Sequence, residues 1–211
     1  MPNYMTVRIE ADTTHQPDFD FEKDFTSFND IVPMPSILSK IEAGSEAWYV
    51  ESNYDKGLKW LIDHRPNRYV DGKTVKMPIL AVVKYYRAKQ TIDSFDCHIW
   101  RNAHWGTKWD MKITYCEKEL IFFDVPWSVP IPLLEALARK FPDVEFSGEF
   151  AEEQTGLYSG TFDFYEGNIS LYEDDEFSNE AYERCFSLYG GEDEYKLTSK
   201  GYIRIDDPTD D

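Results

Sequence analysis

The sequence predicts an α+β fold built on an antiparallel sheet, and three observations lead there. Tyr4–Glu10 alternates Met5, Val7 and Ile9 with Tyr4, Thr6 and Arg8, the period-two pattern of a half-buried strand. LIFFDV from Leu120, the helical stretch LLEALARKF from Leu133 and the alternating segment Asp143–Glu149 read as strand, helix, strand. Tyr158–Tyr165 and Ile169–Tyr172 flank a Glu166-Gly167-Asn168 turn and read as a hairpin. Together these elements give an α+β order with antiparallel pairing.

The remaining elements follow from periodicity and breakers. After the first strand comes an acidic, aromatic stretch, DFDFEKDFTSF, and then IVPMPS, whose prolines stop any regular element. Asp12, Asp18, Asp20 and Glu22 in this region read as a solvated acidic loop. Tyr54, Leu58, Leu61 and Ile62 fit one helical face, ended by Pro66 and the Asp71-Gly72 turn. A second helix starts near Pro78, with Ile79, Val82, Val83 and Tyr86 on its buried stripe. Phe95, Cys97 and Ile99 read as a strand leading into HWGTKWDMK at 104–112. PWSVPIP separates the Leu120 strand from a helix burying Leu133, Leu134, Leu137 and Phe141. IDDPTDD at the end reads as a frayed acidic tail.

With 42% hydrophobic and 16% aromatic residues in 211, the chain can bury a core, which excludes wholesale disorder. The net charge is −18, and its placement matters more than its size. Residues 1–141 hold 18 basic and 20 acidic side chains (−2), whereas residues 142–211 hold 4 and 20 (−16). Such a surface repels phosphates, so direct nucleic-acid binding is not expected. Duplex DNA carries one negative charge per ~1.7 Å of axis, so 16 charges correspond to about 27 Å of duplex. A basic protein surface is the fitting partner.

No apolar run approaches the roughly 20 residues that span a bilayer, and the opening alternates like a strand rather than a leader. A cytoplasmic protein without a membrane partner is therefore expected. Cys97, Cys116 and Cys185, an odd number without CxxC, suit free thiols. Cys97, His98, His104 and Cys116 match no zinc spacing, and no nucleophile, P-loop or zincin motif occurs. No metal, no cofactor and no catalytic residue are expected. Gly190-Gly191-Glu192-Asp193-Glu194-Tyr195 is similar to the GGDEF signature of diguanylate cyclases, but an extra acidic residue precedes the aromatic. It reads as a turn.

Four segments carry a family resemblance. HWGTKWD resembles the NWGTKWD signature of the YubB-type ferredoxin-like domain of phage and plasmid proteins. MPNY at the start, DIVPMPSIL, and FDVPWSVPIPLLEALARKFPD are similar to that family's opening, its PMP segment, and its strand and helix ending KFPD. His104 stands where the family has Asn, and Val125-Pro126 precede Trp127. The resemblance implies a ferredoxin-like domain over 1–172, with helices on one face of the sheet, and a mobile-element origin. It implies no catalytic activity. Residues 173–211 are expected as an acidic C-terminal extension.

Two site readings follow. In the first, the chain is a non-enzymatic phage or plasmid protein that inhibits a host protein. A nucleic-acid-handling defence complex of CRISPR or restriction type is the expected target. Glu173, Asp174, Asp175, Glu176, Glu192, Asp193 and Glu194 would mimic phosphate on a basic host surface. In the second, Trp105, Lys108, Trp109, Asp110 and Trp127 bind a nucleotide-like ring. Against the second stands the reading of Trp105, Trp109 and Trp127 as core, with Lys108 and Asp110 as a same-face ion pair.

Overall fold

Alternation along the first strand puts Met5, Val7, Ile9 and Ala11 inside, as β1 (Tyr4–Asp12). The structure, a computed structural model, describes residues 3–38, 45–92, 94–165 and 168–205. In chain order there follow α1 (Phe21–Asp24), α2 (Phe28–Ile31), α3 (Ser45–Ser52), α4 (Gly57–Asp63), β2 (Asn67–Val70), β3 (Lys73–Lys76), α5 (Ile79–Ile92) and α6 (Cys97–His104). The second half carries β4 (Lys112–Glu117), β5 (Leu120–Pro126), α7 (Ile131–Lys140), β6 (Glu145–Glu152), β7 (Ser159–Tyr165), β8 (Asn168–Glu173), α8 (Asn179–Tyr189), β9 (Tyr195–Thr198) and β10 (Gly201–Arg204). The chain forms two units, Met1–Val32 with Trp105–Asp211, and Pro33–His104.

In the first unit six antiparallel strands run in the order β4-β5-β1-β6-β7-β8. Numbering β1, β4, β5 and β6 as first to fourth gives 2-3-1-4, the split βαβ arrangement of a ferredoxin-like sheet. α7 forms the crossover from β5 to β6, and β7–β8 widen the sheet beyond β6. Residues 33–104 lie within the first crossover, between α2 and the Trp105 loop.

One sheet face carries the aromatic core. Phe19, Phe21, Phe25 and Phe28 are all buried, so the acidic aromatic stretch is core on its phenylalanine side. Phe19 meets Phe141 and Phe146 edge-on at 4.8 and 5.3 Å. Phe25 and Phe28 meet Phe123 at 6.0 Å each. Each such ring contributes about 2 kcal/mol by burial. The intervening acids cap the short helices: Asp20 accepts from Glu22 N–H at 3.0 Å, and Ser27 with Asp30 forms a capping box on α2. A hydrogen bond from Lys23 holds the Asp20 carboxyl below its ordinary range.

α8 packs on the opposite face, where Thr6, Arg8 and Glu149 point. Ala181 and Cys185 are buried on its inner side. Arg184 bridges Asp174 at 2.7 Å and Glu149 at 3.1 Å, and Arg8 reaches Glu149 at 2.9 Å. The segment after residue 172 therefore adds a helix to the second face of the sheet. Helices on a single face describe α1, α2 and α7 only.

In the second unit α5 packs against α3 and α4, burying Val82, Tyr85 and Ala88. The Tyr49 hydroxyl donates to Leu61 C=O at 3.0 Å. Asp71 and Gly72, with φ of 48° and 77°, form the two-residue loop of the β2–β3 hairpin. The strand expected over Phe95–Ile99 is instead the start of α6. The Asp96 carboxylate accepts from His98 N–H (2.7 Å) and Ile99 N–H (3.0 Å), and this cap sets a helix in place of the extended chain.

Candidate functional site

The tryptophan motif is a turn rather than a strand, which separates its two indoles. Trp105 is in the core: its indole N–H donates to Val32 C=O at 2.9 Å, and its ring meets Phe28 edge-on at 5.6 Å. Thr107 is buried and donates to Pro126 C=O at 3.1 Å. Ser128 Oγ donates to Gly106 C=O at 2.9 Å, so the loops 105–110 and 126–132 are tied together twice. Gly106 has φ 78°, and a Cβ there would lie 2.6 Å from the Pro132 ring, so no other residue fits without movement.

Trp109 and Trp127 stay outside that core. Trp127 is 53% exposed and has φ 66°, a left-handed backbone rare for a bulky residue, held by its N–H on Asn3 C=O at 3.0 Å. The two rings stand 6.2 Å apart at 45°, with the Lys108 ammonium 5.2 and 4.9 Å from their centres. The expectation of three core indoles thus holds for Trp105 and fails for Trp127. Asp110 faces α2, accepting from Phe28 N–H (2.8 Å) and Ser27 Oγ (2.6 Å). It anchors the loop and is not part of the Trp–Lys–Trp surface.

The seven acidic residues divide by environment. Glu173, Asp175, Glu176, Glu192, Asp193 and Glu194 are exposed, with Glu194 paired to Arg204 at 2.8 Å. Asp174 is taken out of the set by Arg184 and by Ser159 Oγ at 2.7 Å. Burial alone would push its carboxyl up, but these hydrogen bonds hold it below the ordinary range. Gly190 ends α8, its N–H donating to Phe186 C=O at 2.8 Å, and Glu192–Glu194 form a single turn of 3-10 helix after it.

A second acidic surface was not evident along the chain. At the end of the sheet where β1 finishes and β6 begins lies an open recess of about 870 Å³. Glu10, Asp12, Glu119, Glu145 and Asp163 line it. Asp12 stands directly opposite Glu145 across β1–β6, and Ser147 lies between Glu10 and Asp163 in the next row. Like charges in direct opposition destabilise a sheet. Hydrogen bonds from Thr14 hold the Asp12 carboxyl low and ionised. The signal lay in outward strand positions that are acidic on β1, β6 and β7 alike, which becomes a patch only once register is known.

Among the described residues no three His, Cys, Asp or Glu side chains come together as metal ligands. Cys97 and Cys185 are buried, and burial pushes the Cys185 thiol up, away from the reactive thiolate. No helix among the described residues is long and apolar enough to cross a membrane.

The four-strand core with its two crossovers defines a ferredoxin-like α+β domain. Residues 103–196 match a family model described as the ferredoxin-like domain in Api92-like protein. No curated protein and no solved structure shows a significant match.

Proposed function

We propose that this chain is a non-enzymatic interaction protein that docks a basic surface of another protein onto its acidic unit. The observation that carries the reading is the direct opposition of Asp12 and Glu145 inside a recess that also holds Glu10, Glu119 and Asp163. Thr14 keeps Asp12 ionised there, Arg8 meets only Glu10 of these carboxylates, and a cationic surface laid over the array gains the attraction of the rest. The YubB-type resemblance of HWGTKWD, DIVPMPSIL and the FDVPW segment adds a phage or plasmid origin. The partner is then a host protein of nucleic-acid handling, a CRISPR or restriction complex, in the cytoplasm. Lys/Arg surfaces of such complexes fit a phosphate-like array of carboxylates.

The test is a pull-down from bacterial lysate at low and high salt, comparing the wild-type chain with a Glu10→Gln, Asp12→Asn, Glu145→Gln variant. A nucleic-acid-binding protein retained at low salt only, and lost by the variant, is the expected result. Capture indifferent to both salt and substitution overturns the reading.

A second reading rests on Trp109, Lys108 and Trp127, a half-buried and an exposed indole on doubly tied loops with the Lys108 ammonium over both rings. Such a surface suits a planar anionic ligand, the ring on Trp127 and the anion on Lys108. Adenosine monophosphate added to the protein should quench indole fluorescence, and Trp127→Ala, at an exposed site, should remove the response while leaving the fold intact. No quenching at millimolar nucleotide removes this reading.

A further inference from the structure

We propose that an aromatic recess beside α8 receives an arginine side chain of the basic partner, as the anchor of the interface. This rests on the acidic-docking reading and adds the point of engagement. The recess, about 420 Å³, is lined by Phe177, Tyr182, Tyr195, Tyr202 and Ile203, together with Thr155 and Arg204. Tyr182 stands 5.4 Å from Tyr195 and 5.5 Å from Tyr202, at 53° and 42°. Tilted rings form walls, where a flat stack would close the space.

Three features select a cation. Aromatic faces attract cations, and a guanidinium can stack on a ring while it hydrogen-bonds a carboxylate. Negative charge lies close by: Glu183 and Glu192 act on the Tyr202 hydroxyl, which burial first and these charges next push up. The positive group in its lining, Arg204, is paired with Glu194 at 2.8 Å.

Phe177 is the strongest indication. It is 57% exposed and has φ 58°, so a large apolar ring sits in water on a left-handed backbone that glycine would adopt without strain. Its N–H donates to Gly156 C=O at 2.6 Å, and its ring lies 6.5 Å from Tyr182. Contact with Tyr182 covers only part of the ring and leaves its larger part exposed. Strain kept at an exposed aromatic points to binding.

The experiment titrates the full chain with fluorescein-labelled nona-arginine and nona-lysine peptides, followed by anisotropy. Nona-arginine should bind the more tightly. Phe177→Gly should keep or raise the melting temperature and yet weaken nona-arginine about fivefold to tenfold, as the loss of one desolvated cation–π contact requires. On the wild-type chain, the amide resonances of Phe177, Tyr195 and Tyr202 should shift as nona-arginine is added. Salt-sensitive binding that Phe177→Gly leaves unchanged, with shifts elsewhere, overturns the pocket and leaves the acidic surface standing. No binding of either peptide overturns both. If Phe177→Gly lowers the melting temperature markedly, the ring is structural, and the wild-type resonance shifts alone decide.

Discussion

At Tyr189 the ring and the hydroxyl have different surroundings. The residue is 42% exposed, yet its hydroxyl accepts from Thr6 N–H and donates to Ala151 C=O, both at 2.9 Å. Thr6 and Ala151 are opposed across β1–β6, so one phenol from α8 holds two strands. Tyr189→Phe leaves both backbone groups without that partner and should cost about 1–3 kcal/mol in urea unfolding. Burial pushes the hydroxyl up to about 12, against 10.0 for an ordinary tyrosine. The folded state therefore keeps its proton longer. Its stabilisation is complete below pH 10 and is lost as the pH rises through 12. An absorbance titration of the native chain should show a tyrosine step near 12 that is smaller in Tyr189→Phe. An unchanged step, or unchanged stability, would contradict this role. At this scale the sequence is least legible. Nothing in HWGTKWD marks Trp105 as core and Trp109 as half-open, because that split needs a turn rather than an alternating strand. Nor does an acidic run show that Asp174 is bound to Arg184 while Asp175 is exposed.

Elements were legible where one physical signal dominated. β1, β5, β6, β7 and α7 follow from alternation or helical spacing, since each buries one face in the main core, whereas β8, exposed but for the half-buried Ile169, follows from its pairing signal with β7. The turn residues Glu166 and Gly167 lie outside the described residues. β4 gave no signal, because it is an edge strand whose residues are exposed or half-buried and whose register shifts between Ile113 and Tyr115. α8 was hidden by composition. Its buried side is made by the small residues Ala181 and Cys185, while Glu180, Glu183 and Arg184 set its character as charged. At α6 Phe95, Cys97 and Ile99 alternate as a strand does, whereas the deciding residue is Asp96, whose carboxylate caps the helix. The β2–β3 hairpin had its signal in Asp71-Gly72, but β3 is exposed throughout and offers no alternation to confirm it. Capping and turn chemistry outweighed periodicity in each of these short elements.

For the whole molecule, charge follows the units more closely than the linear sequence. Pro33–His104 carries 11 basic and 8 acidic side chains (+3), leaving 11 basic and 32 acidic (−21) on Met1–Val32 with Trp105–Asp211. The near-neutral first two thirds of the sequence thus combine a basic insertion with acidic ferredoxin-like strands. That topology suggests an excision. The Trp105 indole N–H donates to Val32 C=O at 2.9 Å, so the two ends of the insertion lie within one tryptophan side chain of each other in the first unit, and about six Gly/Ser residues at ~3.3 Å each span the gap. The chain lacking residues 33–104 should keep its strand signal and unfold in one cooperative step. Because its charge density is higher, added sodium chloride should raise its melting temperature through screening of self-repulsion. Carrying the same carboxylates without the basic unit, it should also bind nona-arginine at least as tightly as the full chain at low salt. A chain that fails to fold would make the insertion part of the core. A folded chain that no longer binds would move the docking surface onto residues 33–104 and away from Asp12, Glu145 and Phe177.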